Sequence, residues 1–462
     1  MLDKKDAEAI NLLKIDALGL RTLTIIAEVC DQLGKPYTWM YEIPLDDKKA
    51  YKIFKDQRLN GIFQFEGEAV RLLAKQMPIK TIEDVSAMGA LCRPGPLHCG
   101  GATAFINRRT GQEPIVYLDD HKSIIEATKG TYGVIVYQEQ VMTIGRDYGG
   151  LSWEDVSSLR KAMSKSLGDE FFDKYKKKFL KGAVSKGRDP KVALSVWDSM
   201  CTFGSWSFNL SHAVSYGLIT YITAYLKANY PLEFTMACLN NSRTDAMSVR
   251  LLREMVEYDK LKYKAIDHDY SLARWSVRDG VLLGGLTSIT GVGPAHAAKI
   301  IKARTTGATL TPGLANKLYH GDNAFTYLYP ARELYGDFYK GKNKHIGSYK
   351  IPKIVKIRSI YGQGRVAFIG CLIKKNLRDV NEVGSVSNRG GTHLDPPTSF
   401  LNLMFEDDTD SIFATIWRHD YEHMGKEIAE KGKVGKDWYL IVGEVGAKWR
   451  KISIQHIERI TR

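Results

Sequence analysis

The sequence predicts a multidomain α+β protein, helical through its first half and β-rich at its end. Three observations carry that reading. Apolar residues recur at helical spacing early in the chain, as at Leu23, Ile26, Ala27 and Cys30. Five apolar, strand-like runs fall between Val366 and Ile460. A chain of 462 residues is also too long for one compact core.

The residue balance narrows the partners. Hydrophobic residues make up 44% and charged residues 26%, as in soluble globular proteins. A net charge of +14 asks for an anionic partner, nucleic acid or a membrane surface, unless the basic residues are spread evenly. The most apolar helix candidate, Ala213 to Leu226, is too short and too rich in Tyr and Thr to span a bilayer, so no membrane partner is expected. The start of the chain has no apolar run of the signal-peptide kind. The six cysteines (Cys30, Cys92, Cys99, Cys201, Cys238 and Cys371) form no CxxC pair. Their scatter argues against a disulfide framework and fits a reducing compartment. Cys92, His98 and Cys99 lie close together, but no second ligand pair accompanies them, and no metal site is expected there.

The first element is a strand over Leu12 to Leu18, with Leu13, Ile15 and Ala17 alternating with Lys14 and Asp16. Side chains alternate across a strand, so Lys14 and Asp16 emerge together. Taken alone, they could hold a metal ion and a phosphate or form a solvated ion pair. Gly19 ends the strand, and a helix follows over 20–34, stopped by Gly34 and Pro36. A second helix is predicted over 46–59, with Asp46 near its N-cap. Gly61-Ile62-Phe63-Gln64-Phe65 alternates like a short strand, and helices are predicted over 66–76 and 81–91. Arg93-Pro94-Gly95-Pro96 reads as a stiff turn that fixes Arg93, or as a plain loop with a solvated arginine.

Gly130 to Gln140 packs a glycine pair, an apolar strand and a polar tip together. Ser152-Trp153-Glu154-Asp155 opens a helix that turns Leu159 and Met163 inward. Arg160, Lys161 and Lys165 then share its other face. Such a face is often only solvated, but Lys174, Lys176, Lys177 and Lys178 follow, which favours a phosphate-facing surface. Asp189-Pro190 caps and starts a helix to about Met200. The loop Phe203 to His212 combines aromatics with Asn209, Ser211 and His212, and feeds a long helix bearing Tyr216, Tyr221, Tyr225 and Tyr230. His212 could be a satisfied structural histidine, or the cluster could stack on and bond a base.

After residue 265 the style changes. A short strand, Val281 to Leu286, leads to Gly291, Val292, Gly293 and a small-residue helix carrying Lys299. Glycines before a helix N-terminus let a phosphate approach the backbone closely. Residues 306–360 read as irregular connection around one or two helices. The strand candidates that follow are Val366 to Lys374, Phe400 to Glu406, Ile412 to Trp417, Trp438 to Val445 and Lys451 to Ile460. A helix candidate, Tyr421 to Ala429, sits between the third and fourth. That is the element order of an OB-fold, which commonly binds single strands. Asp407 to Asp410 reads as a turn and 376–398 as a long polar loop.

Six motifs, in order, resemble the bacterial C-family replicative DNA polymerases, the polymerase III alpha subunits. They are Lys14 to Thr24, Gly61 to Glu66, Arg93 to Pro96, Gly130 to Met142, Leu159 to Met163 and Phe208 to Ala213. The resemblance divides the chain into a terminal palm segment (1–20), a mostly helical fingers domain (21–265), a helix-hairpin-helix DNA-binding region (266–358) and an OB-fold β-barrel (359–462). It implies that Asp16 is one of three carboxylates holding two Mg²⁺ ions. Lys14, Arg160 and Lys161 would face the incoming triphosphate. Arg93, Tyr137, Asn209, Ser211 and His212 would line the nucleotide region. Lys165, Gly291, Gly293 and Lys299 would meet DNA.

The sequence departs from the family in ways that shape the expectation. No Asp-x-Asp pair precedes Asp16; the family's Lys in Phe-Asn-Lys-Ser-His is Leu210, and its Gly after Ala-Met is Ser164. The resemblance therefore suggests the C-terminal half of a split polymerase, inactive alone, that adds deoxynucleotides to a primer 3′ end. A separate N-terminal polypeptide would supply two aspartates and share the Mg²⁺ ions. Primer-template DNA and dNTP would be the other partners. A sliding clamp is a further candidate, although no clamp-binding peptide is recognisable before the barrel. Split genes of this sort suggest a bacteriophage origin and the cytoplasm of a bacterial host. The alternative is a non-catalytic DNA-binding protein derived from a polymerase.

Overall fold

Several helix starts in the first half follow caps written into the sequence. The computed structural model describes every residue except 1–2, 13–14, 16–17, 166–168, 205–206, 243, 322, 324, 326–344, 347–348, 351–354, 356, 358–359, 361–363, 380–398, 407–410, 418–419, 434–436, 447–450 and 461–462. After α1 (Lys4–Ala9) and α2 (Arg21–Gln32) comes α3 (Lys48–Lys55). Its cap is Asp47, one residue later than predicted, with Oδ1 accepting the Ala50 N–H at 2.7 Å. After α4 (Glu68–Gln76), Thr81 and Asp84 form a capping box for α5 (Ile82–Leu91). The next helices are α6 (Pro94–His98), α7 (Gly101–Thr110), α8 (Lys122–Thr128), α9 (Gln138–Thr143) and α10 (Trp153–Lys165). They are followed by α11 (Asp169–Ser185), α12 (Pro190–Gly204), α13 (Leu210–Asn229) and α14 (Pro231–Asn240). Asp189 Oδ1 caps α12 through Lys191 and Val192, as its sequence predicts.

By contact, the chain divides into two units, Met1–Ala237 and Cys238–Arg462. Among its described residues the first holds two large apolar centres. In one, α5 buries almost its whole circumference, with Val85, Met88, Ala90 and Leu91 packed against Phe54, Phe65 and Phe105. Here α13 crosses α5 so closely that a Cβ at Gly217 would stand 2.5 Å from Ser86 Oγ. The other centre joins Ile144, Tyr148, Leu159, Phe179 and Trp197.

Two sequence expectations fail in this unit. Gly61 to Phe65 is a turn, not a strand, with positive φ at Gly61 (77°) and Gln64 (60°). Its backbone groups are taken by α13 instead of by a neighbouring strand. The Phe63 N–H donates to Thr223 Oγ1 (3.2 Å), Thr220 Oγ1 donates to Phe63 O (3.1 Å), and the buried Lys227 Nζ donates to Arg58 O (2.9 Å) and Asn60 O (2.5 Å). Such bonds satisfy buried backbone as well as a ladder does. Arg93 to Pro96 is also not a plain turn: Pro94 takes the first position of α6, where its missing N–H costs nothing, and Arg93 is the extended residue before it.

The second unit begins with α15 (Asp245–Tyr258), capped by Thr244. A small sheet follows, in which β3 (Val281–Leu283) lies between β1 (Tyr263–Lys264), to which it is parallel, and β2 (Ser276–Arg278), to which it is antiparallel. The strand is shorter than the predicted Val281 to Leu286, because Leu286–Ser288 turns into a 3₁₀ helix. Next, α16 (Pro294–Thr306) and α17 (Pro312–His320) pack Ala297, Ile300, Leu314 and Leu318 against Leu286, Ile289 and Val292. A two-residue hairpin, β4 (His345–Ile346) and β5 (Tyr349–Lys350), precedes the last domain.

That domain is a closed five-stranded barrel of β6 (Gly364–Asp379), β7 (Ser399–Glu406), β8 (Ser411–Ile416), β9 (Trp438–Val445) and β10 (Lys451–Ile460). The order around the barrel is β10-β8-β7-β6-β9, with β9 returning to β10. All neighbours are antiparallel except β8 and β10. The long β6 pairs β9 along Gly364–Cys371 and β7 from Cys371 to Asp379, with a register shift between Leu372 and Lys374. Residues 376–379, predicted as loop, are therefore strand; the rest of that loop call and the Asp407 to Asp410 turn lie outside the described residues. Between β8 and β9 stand a π-helical turn (Tyr421–Gly425) and α18 (Lys426–Lys431), where the sequence predicts a helix.

Candidate functional site

The site forms where the segment before α9 meets the start of α13. Tyr137 and Phe208 pair as a parallel bridge: the Phe208 N–H donates to Val136 O and the Gln138 N–H to Phe208 O, both at 2.8 Å. Gln140 Oε1 accepts the Val136 and Tyr137 N–H groups at 2.8 Å each, and its Nε2 donates to Ala127 O and Thr131 Oγ1. The buried glutamine thus sets the bend that the sequence shows as a glycine pair and apolar run. Tyr137 is itself buried, and burial, then Glu139 and Glu83, pushes its hydroxyl pKa far above the usual tyrosine range.

Asn209 is the N-cap of α13. Its Oδ1 accepts the His212 N–H (2.9 Å) and the Ser211 hydroxyl (2.6 Å). Its Nδ2 donates to Glu139 Oε1 (3.1 Å), and the Leu210 N–H donates to Glu139 Oε2 (2.9 Å). Asn209 and Ser211 therefore spend their hydrogen bonds on the helix start, while the His212 ring stands exposed. An aromatic row runs through it. The Arg93 guanidinium lies 4.2 Å from the Phe208 ring centre, Phe208 meets His212 edge-on (5.2 Å), His212 lies 4.0 Å from Tyr216, and Tyr216 5.4 Å from Phe63. A cation over a ring, one edge-on contact and two tilted aromatic contacts hold this row together.

Of the expected triphosphate face, Arg160 is half-buried on α10; Lys161 and Lys165 share that helix, but their side chains lie outside the described residues. Part of the lysine run pairs at the surface with carboxylates of its own fold. Lys178 Nζ pairs with Asp155 (2.8 Å) and Lys176 with Asp198 (3.3 Å). The Lys178 contact holds the Asp155 carboxyl below its usual range. Lys174 and Lys177 remain exposed. The sequence reading of an open lysine patch misses these pairs because Asp198 lies on α12.

Lys14 and Asp16 lie outside the described residues. Their neighbours Leu12 and Ile15 form no strand, contrary to the sequence prediction, and Ile15 and Leu18 are 80% and 91% exposed. Among the described residues no group of three or more His, Cys, Asp or Glu could hold a metal ion.

In the second unit, Gly291 (φ 81°) lies against the Lys317 side chain, Gly293, the residue before α16, faces open space, and Lys299 is exposed on α16. Lys317 Nζ donates to Gly291 O at 3.2 Å. On the barrel, Phe413 (51%) and Trp417 (44%) are exposed at β8, with Lys451 Nζ 5.9 Å from the Trp417 ring and the indole N–H donating to Ser453 Oγ (3.0 Å). Glu139, Phe63, Tyr216 and this barrel pair escape the sequence reading. Glu139 shows there only as part of a polar tip, and its partners lie 70 and 71 positions away. No helix among the described residues is long and apolar enough to cross a membrane.

Comparison with known proteins reaches the same region. Residues 22–187 match the bacterial DNA polymerase III alpha subunit finger domain. The chain is 35% identical over 316 residues to the DNA polymerase III subunit alpha of Vibrio cholerae and to that of Escherichia coli strain K12, covering 66% of this chain and 27% of each relative. Against the Aquifex aeolicus subunit the identity is 35% over 306 residues, 65% of this chain and 26% of the relative. The chain thus spans about a quarter of the length of the curated relatives it matches.

Proposed function

We propose, from the match of residues 22–187 to the bacterial DNA polymerase III alpha subunit finger domain, that the chain forms the fingers of a replicative DNA polymerase. In this reading a primer 3′ oxygen bonds the α-phosphorus of a dNTP and pyrophosphate leaves. Arg160 and Lys161 on α10, with Lys14, neutralise the triphosphate. Arg93 and His212 present the cation and ring that meet the nucleotide, while Tyr137, Asn209 and Ser211 line the region and hold those groups in place. The observation that carries this reading is the Arg93–Phe208–His212 row, which joins two motifs of the resemblance 115 positions apart (93 and 208) into one exposed face.

The finer claims belong to the same proposal. Residues 1–20 are palm, 21–265 fingers, 266–358 a helix-hairpin-helix region and 359–462 an OB-fold. The closed barrel with one parallel pair and a helix before its fourth strand supports the last assignment. Lys165, Gly291, Gly293 and Lys299 contact primer-template DNA, in keeping with the +14 charge. Asp16 is one ligand of two Mg²⁺ ions, which would stabilise charge on the attacking and leaving oxygens. Two further aspartates come from a separate N-terminal polypeptide carrying the paired-Asp palm motif. The exposed Ile10, Leu12, Ile15 and Leu18 offer that partner an apolar seat. The reaction belongs in the cytoplasm of a bacterial host, with a sliding clamp as a candidate further partner.

Primer extension tests the reading. Extension is expected from the chain together with the palm polypeptide and from neither alone. Extension by this chain alone refutes the shared site. DNA binding without extension in the mixture supports the second reading, a non-catalytic DNA-binding protein. The Lys176 and Lys178 ion pairs lean towards that reading, because both lysines already have a carboxylate partner on the fold.

A further inference from the structure

We propose that Glu139 is a positioning residue for the nucleotide-facing start of α13, acting through Asn209; the role rests on the fingers reading above. The geometry points to it in three steps. First, the carboxylate accepts two hydrogen bonds at the same helix end, one from Asn209 Nδ2 (3.1 Å) and one from the Leu210 N–H (2.9 Å). Second, a carboxylate accepts and does not donate, so it selects the Asn209 amide orientation with nitrogen towards Glu139 and oxygen towards the helix. Third, that oxygen accepts both the His212 N–H and the Ser211 hydroxyl. The first turn of α13, and with it the His212 ring in the Arg93–Tyr216 row, is therefore set from a residue on the opposite segment.

The placement of Glu139 is fixed independently. It follows Gln138, whose N–H is bound to Phe208 O in the parallel bridge, and lies in the first turn of α9. The same bridge brings Phe208 beneath Arg93. One carboxylate thus ties the two motifs together at the point where the row begins. Without it, the amide can turn over, presenting Nδ2 to the His212 N–H, and the cap is lost. Negative charge at a helix N-terminus is also favourable, which steadies the contact.

The test uses the whole chain together with the palm polypeptide and primer-template DNA. dATP is titrated into the wild type, Glu139→Ala, Asn209→Ala, the double variant and Glu139→Gln. Glu139→Ala and Asn209→Ala are each expected to weaken dATP binding roughly tenfold, the cost of a charge-assisted hydrogen bond, and the double variant no further. Glu139→Gln keeps one acceptor oxygen and is expected within about threefold of wild type. Amide hydrogen exchange at Leu210 and His212 should quicken by about tenfold in Glu139→Ala. Losses that multiply in the double variant, or Leu210 and His212 exchanging at the wild-type rate in Glu139→Ala, overturn the proposal. A wild-type chain that binds no dATP even with the palm polypeptide present refutes the nucleotide reading itself; amide exchange then decides alone whether Glu139 holds the turn.

Discussion

Asp84 and Arg109 form a two-point ion pair. Nε donates to Oδ1 and Nη2 to Oδ2, both at 3.0 Å, and the carboxylate is nearly buried. The same Asp84 accepts the Lys80 and Thr81 N–H groups at the start of α5, so the pair joins that cap to the end of α7. The Asp84 hydrogen bond raises the Arg109 pKa further above its ordinary value. Removing one partner strands the other in an apolar core. Arg109→Met is expected to cost about 3 kcal/mol in urea unfolding of the chain, the lower end for broken buried pairs. An unchanged midpoint would show that the pair contributes nothing net.

Gly217 is a packing requirement of α13. Its missing Cβ leaves room for Ser86, whose Oγ and Cα would lie 2.5 and 3.2 Å from a methyl there. Gly217→Ala should lower stability by about 1–3 kcal/mol, as overpacking does, and Ser86→Gly should recover part of it. Thermal melts of the two single variants and the double variant check the coupling. Additive losses would mean the clash is relieved elsewhere.

Under the polymerase reading, Arg160→Ala should raise the KM for dNTP roughly tenfold to a hundredfold in the two-polypeptide reaction, as for a lost charged hydrogen bond. Asp16→Asn should abolish extension and leave DNA affinity intact. Steady-state kinetics and a DNA-binding titration separate the two effects. If Arg160→Ala leaves KM unchanged, the triphosphate role is wrong.

The barrel offers a separate measurement. Trp417 is held by Ser453 and flanked by Lys451. Trp417→Ala should weaken single-stranded DNA binding by about 1–3 kcal/mol, the range for one stacked base. Lys451→Gln should lower the slope of log affinity against log salt by about 1. Fluorescence anisotropy at several salt concentrations reads both, and wild-type behaviour in both variants would move the DNA path away from β8.

Cysteine reactivity carries a pH signature. Burial pushes the Cys201 thiol pKa up to about 11, while Cys99 is exposed. The thiolate is the reactive form, so at pH 8 Cys201 is almost wholly protonated and inert. Iodoacetamide at pH 8 should label Cys99 first, with Cys201 labelling rising only as pH approaches 11. Peptide mapping by mass spectrometry would reveal the opposite order if burial does not protect the thiol.

Much of this architecture was legible in local sequence. Thr81, Asp189 and Pro190 mark helix starts because a cap acts within three residues of itself. Trp438–Val445 and Lys451–Ile460 coincide with their predicted strands because a buried strand needs an unbroken apolar or alternating run. Gly61 to Phe65 misled because its pattern is strand-like, whereas its partners Thr220, Thr223 and Lys227 lie on α13, more than 150 positions away. Asn209 and Ser211 look like open ligands in sequence; Glu139, which occupies Asn209, comes from another segment. Local chemistry is visible in a string of residues, and cross-chain hydrogen bonding is not.

Lys227 has a further consequence for motion. Its ammonium, with the Thr220 and Thr223 hydroxyls, fastens the 58–63 loop to α13 through main-chain oxygens and nitrogen, independent of the loop's own side chains. The loop and the helix must then travel as one piece. If the fingers swing over a substrate, the flexing has to occur outside both, and Phe63 rides with Tyr216 and His212 as a preassembled surface. Sequence change in the loop is therefore tolerated wherever the backbone path is kept, while a change at Lys227 is felt at the far end of the aromatic row.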